Sequence, residues 1–264
     1  MKTLRFLAVS SLLVMLYSPL AHADVCSSAS CVAAGTDYFQ TTTGSMVNLG
    51  SLGSIPLVGV PISGSPVGTA DTIIQRLSDV PIDSNPYSSL QMMGLSLESA
   101  APVNLGSGFA DLFITLDPGD LALDTGSITI SGGLTGGTFS STLDVYFDVC
   151  IGGDTGTGVG CGSFTPLVSG EELVLSQSGA TWGPTPAPGE ALDEGAYTDS
   201  PNPYNEHTGL PSNVVDFFPG MVTETEPGAT HVVDPAPVPE PTSLILLATN
   251  LLVLVGTLKL RFHS

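Results

Sequence analysis

Positive charge is nearly missing from this sequence, which sets five Lys and Arg against 25 Asp and Glu for a formal net charge of −20. Lys2, Arg5, Lys259 and Arg261 lie at the two ends, so Arg76 is the one Lys or Arg between residues 24 and 238. A body of that kind repels nucleic-acid phosphates and anionic headgroups, which excludes nucleic acid as a partner. With no lysine in the body, neither a phosphate-binding P-loop nor a lysine nucleophile is available. Histidine is scarce too: His207 and His231 are the only imidazoles there, both in a Pro-rich region where a solvated or capping role is expected. No serine has glycine at both minus two and plus two, so the nucleophile-elbow pattern is missing. Glu171-Glu172 and Glu224-x-Glu226 offer carboxylate pairs for glycoside hydrolysis, but any acidic chain supplies such pairs by chance. The single tryptophan, Trp182, is thin equipment for a sugar cleft.

Long apolar helical faces are also lacking, whereas the chain holds 31 Gly and 21 Pro, the composition of a turn-rich β protein. Between residues 47 and 68, Pro56, Pro61 and Pro66 leave room for short extended segments but not for a helix. Residues 71–77 read as a strand carrying Arg76, whose simplest partner is a neighbouring carboxylate such as Asp71 or Asp79. Leu90, Met92, Leu95 and Leu97 alternate with a slip at Gly94, the signature of a β-bulge. Leu112, Ile114 and Leu116 form the next apolar face, ended by the turn Asp117-Pro118-Gly119-Asp120. Leu143, Val145, Phe147, Val149 and Ile151 then alternate with Asp144, Tyr146, Asp148 and Cys150, a period of two with one face inside and one wet. Half-buried strands between frequent turns predict a mainly β fold, an antiparallel β-sandwich-like body over residues 24–182. Residues 183–237 turn Pro-rich and acidic and read as a stalk, with Val214-Val215 and His231-Val232-Val233 apolar enough to dock on the sheet.

Four cysteines, if the chain is exported as its ends suggest below, point to disulfides, with three connectivities open. Spacing favours the local pairs Cys26 with Cys31 and Cys150 with Cys161. The acidity has two readings, solubility of an exposed protein or binding of a divalent cation. Asp117, Asp120 and Asp124 crowd one turn-rich loop, so calcium is the one cofactor the sequence offers a place for, though the EF-hand spacing is absent.

The ends carry the strongest signals. Lys2 and Arg5 precede an apolar run over residues 6–17, then Pro19 and the small-residue site Ala21-His22-Ala23. That is the pattern of a signal peptide spanning residues 1–23, cleaved by signal peptidase after Ala23. At the other end Pro239-Glu240-Pro241 is followed by an apolar stretch over residues 244–258 and then Lys259 and Arg261. The stretch predicts a single transmembrane helix within residues 238–264, with the two cations as a cytoplasmic basic anchor and the body outside.

This tail resembles the PEP-CTERM sorting signal of exported bacterial proteins, through Pro239-Glu240-Pro241, the apolar segment and the basic end. The resemblance implies processing near the Pro-Glu-Pro by an exosortase, a membrane-embedded cysteine transpeptidase. Family members commonly end in an arginine cluster, and this chain offers only Lys259, Arg261 and His263. The body is similar to a recurring group of such proteins through residues 71–76, 112–118 and 136–139, which adds location but no reaction. The expected function is that of a non-enzymatic surface or extracellular-matrix protein. Its partners would be signal peptidase, the exosortase, the membrane and extracellular polysaccharide, and it would be anchored at the inner membrane before reaching the cell surface. The rival readings are a secreted hydrolase with an unrecognised site and a calcium-binding adhesive module.

Overall fold

A computed structural model describes residues 25–186, 195–196 and 207–237, and the described fold is almost entirely β. The segments used below are β1 (Gly35–Thr41), β2 (Met46–Asn48), β3 (Ser54–Gly59), β4 (Thr72–Arg76), β5 (Tyr87–Ser99) and β6 (Leu112–Leu116). They continue as β7 (Thr125–Gly133), β8 (Gly136–Ile151), β9 (Thr165–Gly183), β10 (Val222–Glu226) and β11 (Ala229–Pro235).

These segments fill eight wall positions of a closed barrel. Three positions hold two segments end to end: β1 with β2, β3 with β4, and β6 with β7. Each position pairs antiparallel with the next in chain order, and β11 closes the circuit by pairing with both β1 and β2. The topology is therefore an up-and-down meander rolled shut, an arrangement that leaves no sheet edge along the paired length.

Two parts of the expected fold class are corrected here. The antiparallel sandwich is replaced by the barrel, because the Val233↔Thr41 and Thr230↔Met46 registers join the last strand to the first. Alternating strands look the same in either architecture, and only this long-range pairing separates them. The predicted membrane-spanning helix does not belong to the described fold either. Among the described residues no helix is long and apolar enough to cross a membrane, and the helical turns are short 3-10 segments at Val25–Ser27 and Gly50–Leu52. Residues 238–264, on which that helix was predicted, lie outside the described residues.

The alternation of each strand determines what fills the barrel. Leu143, Val145, Phe147 and Val149 of β8 point inward with Leu90, Met92, Leu95 and Leu97 of β5 and Ile128 and Ile130 of β7. Polar side chains such as Glu172 and Ser176 stand on the outer face of β9, so the wall is apolar within and wet without. One end is plugged. Phe217 stacks on Trp182 at 5.7 Å and meets Phe139 edge-on at 5.2 Å. Beneath that plug, Cys31–Val32 pairs in parallel with Val214–Val215 and antiparallel with Val80–Pro81. Asn213 ties this small sheet down by donating its amide to the carbonyls of Cys26 and Ala29. Residues 207–237, read from sequence as a stalk with strands that could dock, thus supply the plug and two wall strands.

Both disulfides join the sequence neighbours, Cys26 to Cys31 and Cys150 to Cys161.

The two interrupted wall positions flanking β5 share a device. Gly59 lies opposite Leu97 and Thr72 opposite Leu95, so residues 60–71 leave the wall and re-enter it almost where they left. Residues 117–124 do the same between β6 and β7. Each excursion returns through Asp-Thr. The Asp71 carbonyl accepts the Ser96 N–H while its carboxylate accepts the Thr41 N–H at 2.7 Å. Likewise the Asp124 carbonyl accepts the Met92 N–H while its carboxylate accepts the Tyr146 N–H at 2.6 Å. Each aspartate therefore stands in for the ladder carbonyl that the break removed, keeping two backbone donors satisfied. Gly59 has to be glycine for this, since a Cβ there would sit 1.6 Å from the Asp71 carboxylate.

Candidate functional site

Near the plugged end, Arg76 is fully buried and forms an ion pair with Asp37. Asp37 belongs to β1, paired with β4 in the Gly35↔Arg76 register, so inward-facing side chains of the two strands meet. Of the partners expected from sequence proximity, Asp79 accepts the Ala34 N–H at 2.8 Å and its charge also acts on Arg76, while the Asp71 carboxylate bonds Thr41 and Thr72. Burial lowers the Arg76 pKa, opposed chiefly by the charges of Asp37 and Asp216. Its guanidinium also donates to the Ala33 carbonyl at 3.2 Å and lies 4.4 Å over the Phe217 ring. Removing one member of such a pair costs about 3–5 kcal/mol because the other charge is left uncompensated. Arg76 is therefore engaged in tying the plug to the wall.

A second polar group occupies the barrel interior where β11 meets β1. Asp71 accepts the hydroxyls of Thr41 at 2.7 Å and Thr72 at 2.9 Å. Thr41 Oγ1 lies 3.1 Å from Nε2 of His231, and Nδ1 of His231 lies 3.3 Å from Glu224. Hydroxyl, imidazole and carboxylate in a row share the connectivity of a nucleophile, a base and its orienter. The Thr41 hydroxyl, however, also donates to the Asp71 carboxylate at 2.7 Å, the shorter of its two contacts. The row ties β1, β4, β10 and β11 together at the closing seam, and burial holds the Asp71 carboxyl above the usual carboxylate range. Both histidines, expected in solvent or at caps, are buried: His231 here, and His207 with Nδ1 2.7 Å from Asp216.

The acidic loop expected to bind calcium is the excursion of residues 117–124. Asp117 accepts the Gly119 N–H at 2.7 Å in a local turn, and Asp124 is committed to Tyr146. Asp124 is fully buried, and its second oxygen has no hydrogen-bond partner. Burial, with the Asp117 and Asp120 charges adding to it, pushes its carboxyl up to about 6. Asp148 on β8 is also raised by burial and by Asp117, and it accepts the Gly170 N–H at 3.3 Å. Among the described residues no group of three or more His, Cys, Asp or Glu is arranged to hold a metal ion.

Another feature is an opening in the wall. Between β9 and β10 the ladder is carried at Ser176↔Thr225, and Glu226 accepts the Val174 N–H where β10 ends. Beyond that point lies a cleft of about 450 Å³ lined by Val47, Phe147, Val168, Glu171, Glu172 and Glu226. Inside the plugged end a small apolar cavity of about 30 Å³, with Asp37 and Glu224 on its lining, has room for about one water. Trp182 is part of the core and does not line a sugar cleft. Sequence reading noted Glu171, Glu172 and Glu226 only as chance carboxylates; the signal that they share a cleft lies in register, which composition does not carry. The processing residues Ala21 and Ala23, the sorting residues Pro239, Glu240 and Pro241, and the basic anchor Lys259 and Arg261 lie outside the described residues. No protein-family model, curated protein or solved structure matches this chain.

Proposed function

We propose that this is an exported, non-enzymatic surface or extracellular-matrix protein. On this reading it is delivered by a leader removed after Ala23 and sorted by an exosortase-like transpeptidase acting near Pro239-Glu240-Pro241. The observation that carries it is the pair of closed disulfides in a chain whose only other cations beside Arg76 flank its two apolar ends. Disulfides persist in oxidising compartments, and a basic-apolar-small start is what export machinery reads. The barrel supports a display role by its economy of chemistry. Arg76, Asp37, Asp71, His231 and His207 are each engaged in holding strands or plug together. What it turns to solvent is a carboxylate surface suited to recognition of cationic groups.

Intact mass of the protein recovered from its native host, with membrane and released fractions kept apart, tests the reading. The expected species begins at Asp24 and ends near Pro239-Glu240-Pro241. A species still ending at Ser264 in every fraction would overturn the sorting step, and one retaining Met1 would overturn removal of the leader after Ala23.

A further inference from the structure

Strand β9 outruns its neighbour. On one side it pairs with β8 from Ile151↔Thr165 to Gly137↔Trp182, with register shifts at Val149 and near Phe139. On the other it meets β10 at Ser176↔Thr225 and the segment Phe218–Pro219 at Trp182↔Pro219 and Gly183↔Phe218. Strand β10 ends at Glu226, and the chain turns back through Pro227 and Gly228 into β11. Residues 165–173 of β9 therefore continue past that turn with one edge on β8 and, among the described residues, no strand on the other. Their side chains are exposed except at Val168 and Leu173, which are half-buried. The cleft of about 450 Å³ lies along this edge, with Val47, Phe147 and Val168 beneath and Glu171, Glu172 and Glu226 around it.

We infer that this open edge is a docking site for an extended basic segment of a partner protein, which adds to β9 as a further strand. An unpaired edge presents N–H and C=O groups to a further strand, here broken where Pro166 lacks an N–H and where Gly170, at φ +67°, lies in a register shift, and a strand added there gains affinity from the main chain and selectivity from alternate side chains. Period two would set every second side chain of the guest on the apolar floor and the others toward the carboxylates. Charge chooses the occupant. Three carboxylates border the cleft, and the one Lys or Arg of the body, Arg76, is buried at the plugged end of the barrel. A second copy of this chain would set its own Glu171 and Glu172 against these, and like charges opposed across strands destabilise pairing. A basic, alternating segment satisfies edge, floor and rim together. The inference rests on the display function proposed above, and it names the chemistry of the partner.

The test uses the full chain, disulfides intact, purified in detergent. The probe is a fluorescein-labelled peptide alternating lysine with valine, followed by anisotropy at low salt. Saturable binding is expected, at least tenfold weaker when glutamate replaces lysine and at least tenfold weaker when alternate backbone amides of the peptide are N-methylated. The N-methylated probe keeps the charge and removes strand pairing, so it decides the question even where a protein variant folds poorly. E171Q/E172Q/E226Q should weaken binding at least tenfold, whereas E98Q/D111N/D234N, which removes equal charge elsewhere, should change it less than twofold. No saturable binding, equal binding of the N-methylated peptide, or equal loss in the two variants would overturn the docking site. Mass spectrometry of the recovered peptide separates the two readings: a cleaved peptide overturns the non-enzymatic function, and weak binding of an intact one overturns the docking site alone.

Discussion

Asp124 and Asp71 do the same job on opposite sides of β5, lending a side-chain oxygen to a ladder that a chain excursion has broken. The cost of the arrangement is a buried carboxylate, and at Asp124 it is visible as a carboxyl raised to about 6 with one oxygen unpartnered. A carboxyl raised in the folded state favours folding when protonated. That contribution is full below the unfolded value of 3.8 and is lost as pH rises through about 6. The D124N variant keeps an acceptor for the Tyr146 N–H and cannot ionise. It should be more stable than the parent at pH 8 by about 1–2 kcal/mol, after allowance for solvent screening, with the difference vanishing by about pH 4. Urea denaturation across that pH range measures it, and a D124N variant less stable at pH 8 would show that the second oxygen has a partner. Asp71, Asp148 and Glu98 are raised in the same direction, so the parent protein should also gain stability on mild acidification.

Among the elements, the loop between β8 and β9 matters beyond connecting them. Its Gly158 carbonyl accepts the N–H groups of both Leu95 and Leu116, each at 3.1 Å, so the loop fills the gap between β5 and the broken β6–β7 position. Gly160 adds its own N–H to the Leu116 carbonyl at 2.8 Å. Cys150–Cys161 holds that loop in place. Replacing both cysteines by serine should cost about 2–3 kcal/mol through the unfolded chain. The sharper expectation is local: amide exchange at Leu95 and Leu116 should accelerate in the variant before the rest of β5 does. Uniform acceleration across the barrel would mean that the loop contributes only chain entropy. The disulfide partners themselves were legible in the spacing of Cys150 and Cys161, whereas the carbonyl insertion was not, since glycine-rich stretches carry no periodicity to read.

For the molecule as a whole, closure is the property on which the rest depends. If residues 221–237 were only a stalk, a chain ending at Gly220 would fold; if β10 and β11 are wall, it would not. The barrel predicts loss of near-UV circular dichroism and of a cooperative transition for that truncation, because β9 and β1 would become long open edges and His231 and Glu224 would leave Asp71 behind. A truncated chain that melts cooperatively would instead favour an open two-sheet body.

The residue pattern by itself determined the β class, most strand positions from β5 to β8, the bulge at Gly94 and the preference for the two local disulfide pairs. All of these follow from local spacing: period two, turn chemistry and cysteines close in sequence. Only the tertiary structure decided that the sheet closes, that Arg76 pairs with Asp37, and that Glu171, Glu172 and Glu226 border one cleft. Those depend on pairings such as Asp234↔Gln40, between strands at opposite ends of the described chain. An alternating strand has the same pattern whether its far neighbour is another sheet or the first strand of its own, so nothing local records the choice. The physical reason is that closure is selected by which inward faces fill one another, and that is a property of the assembled barrel.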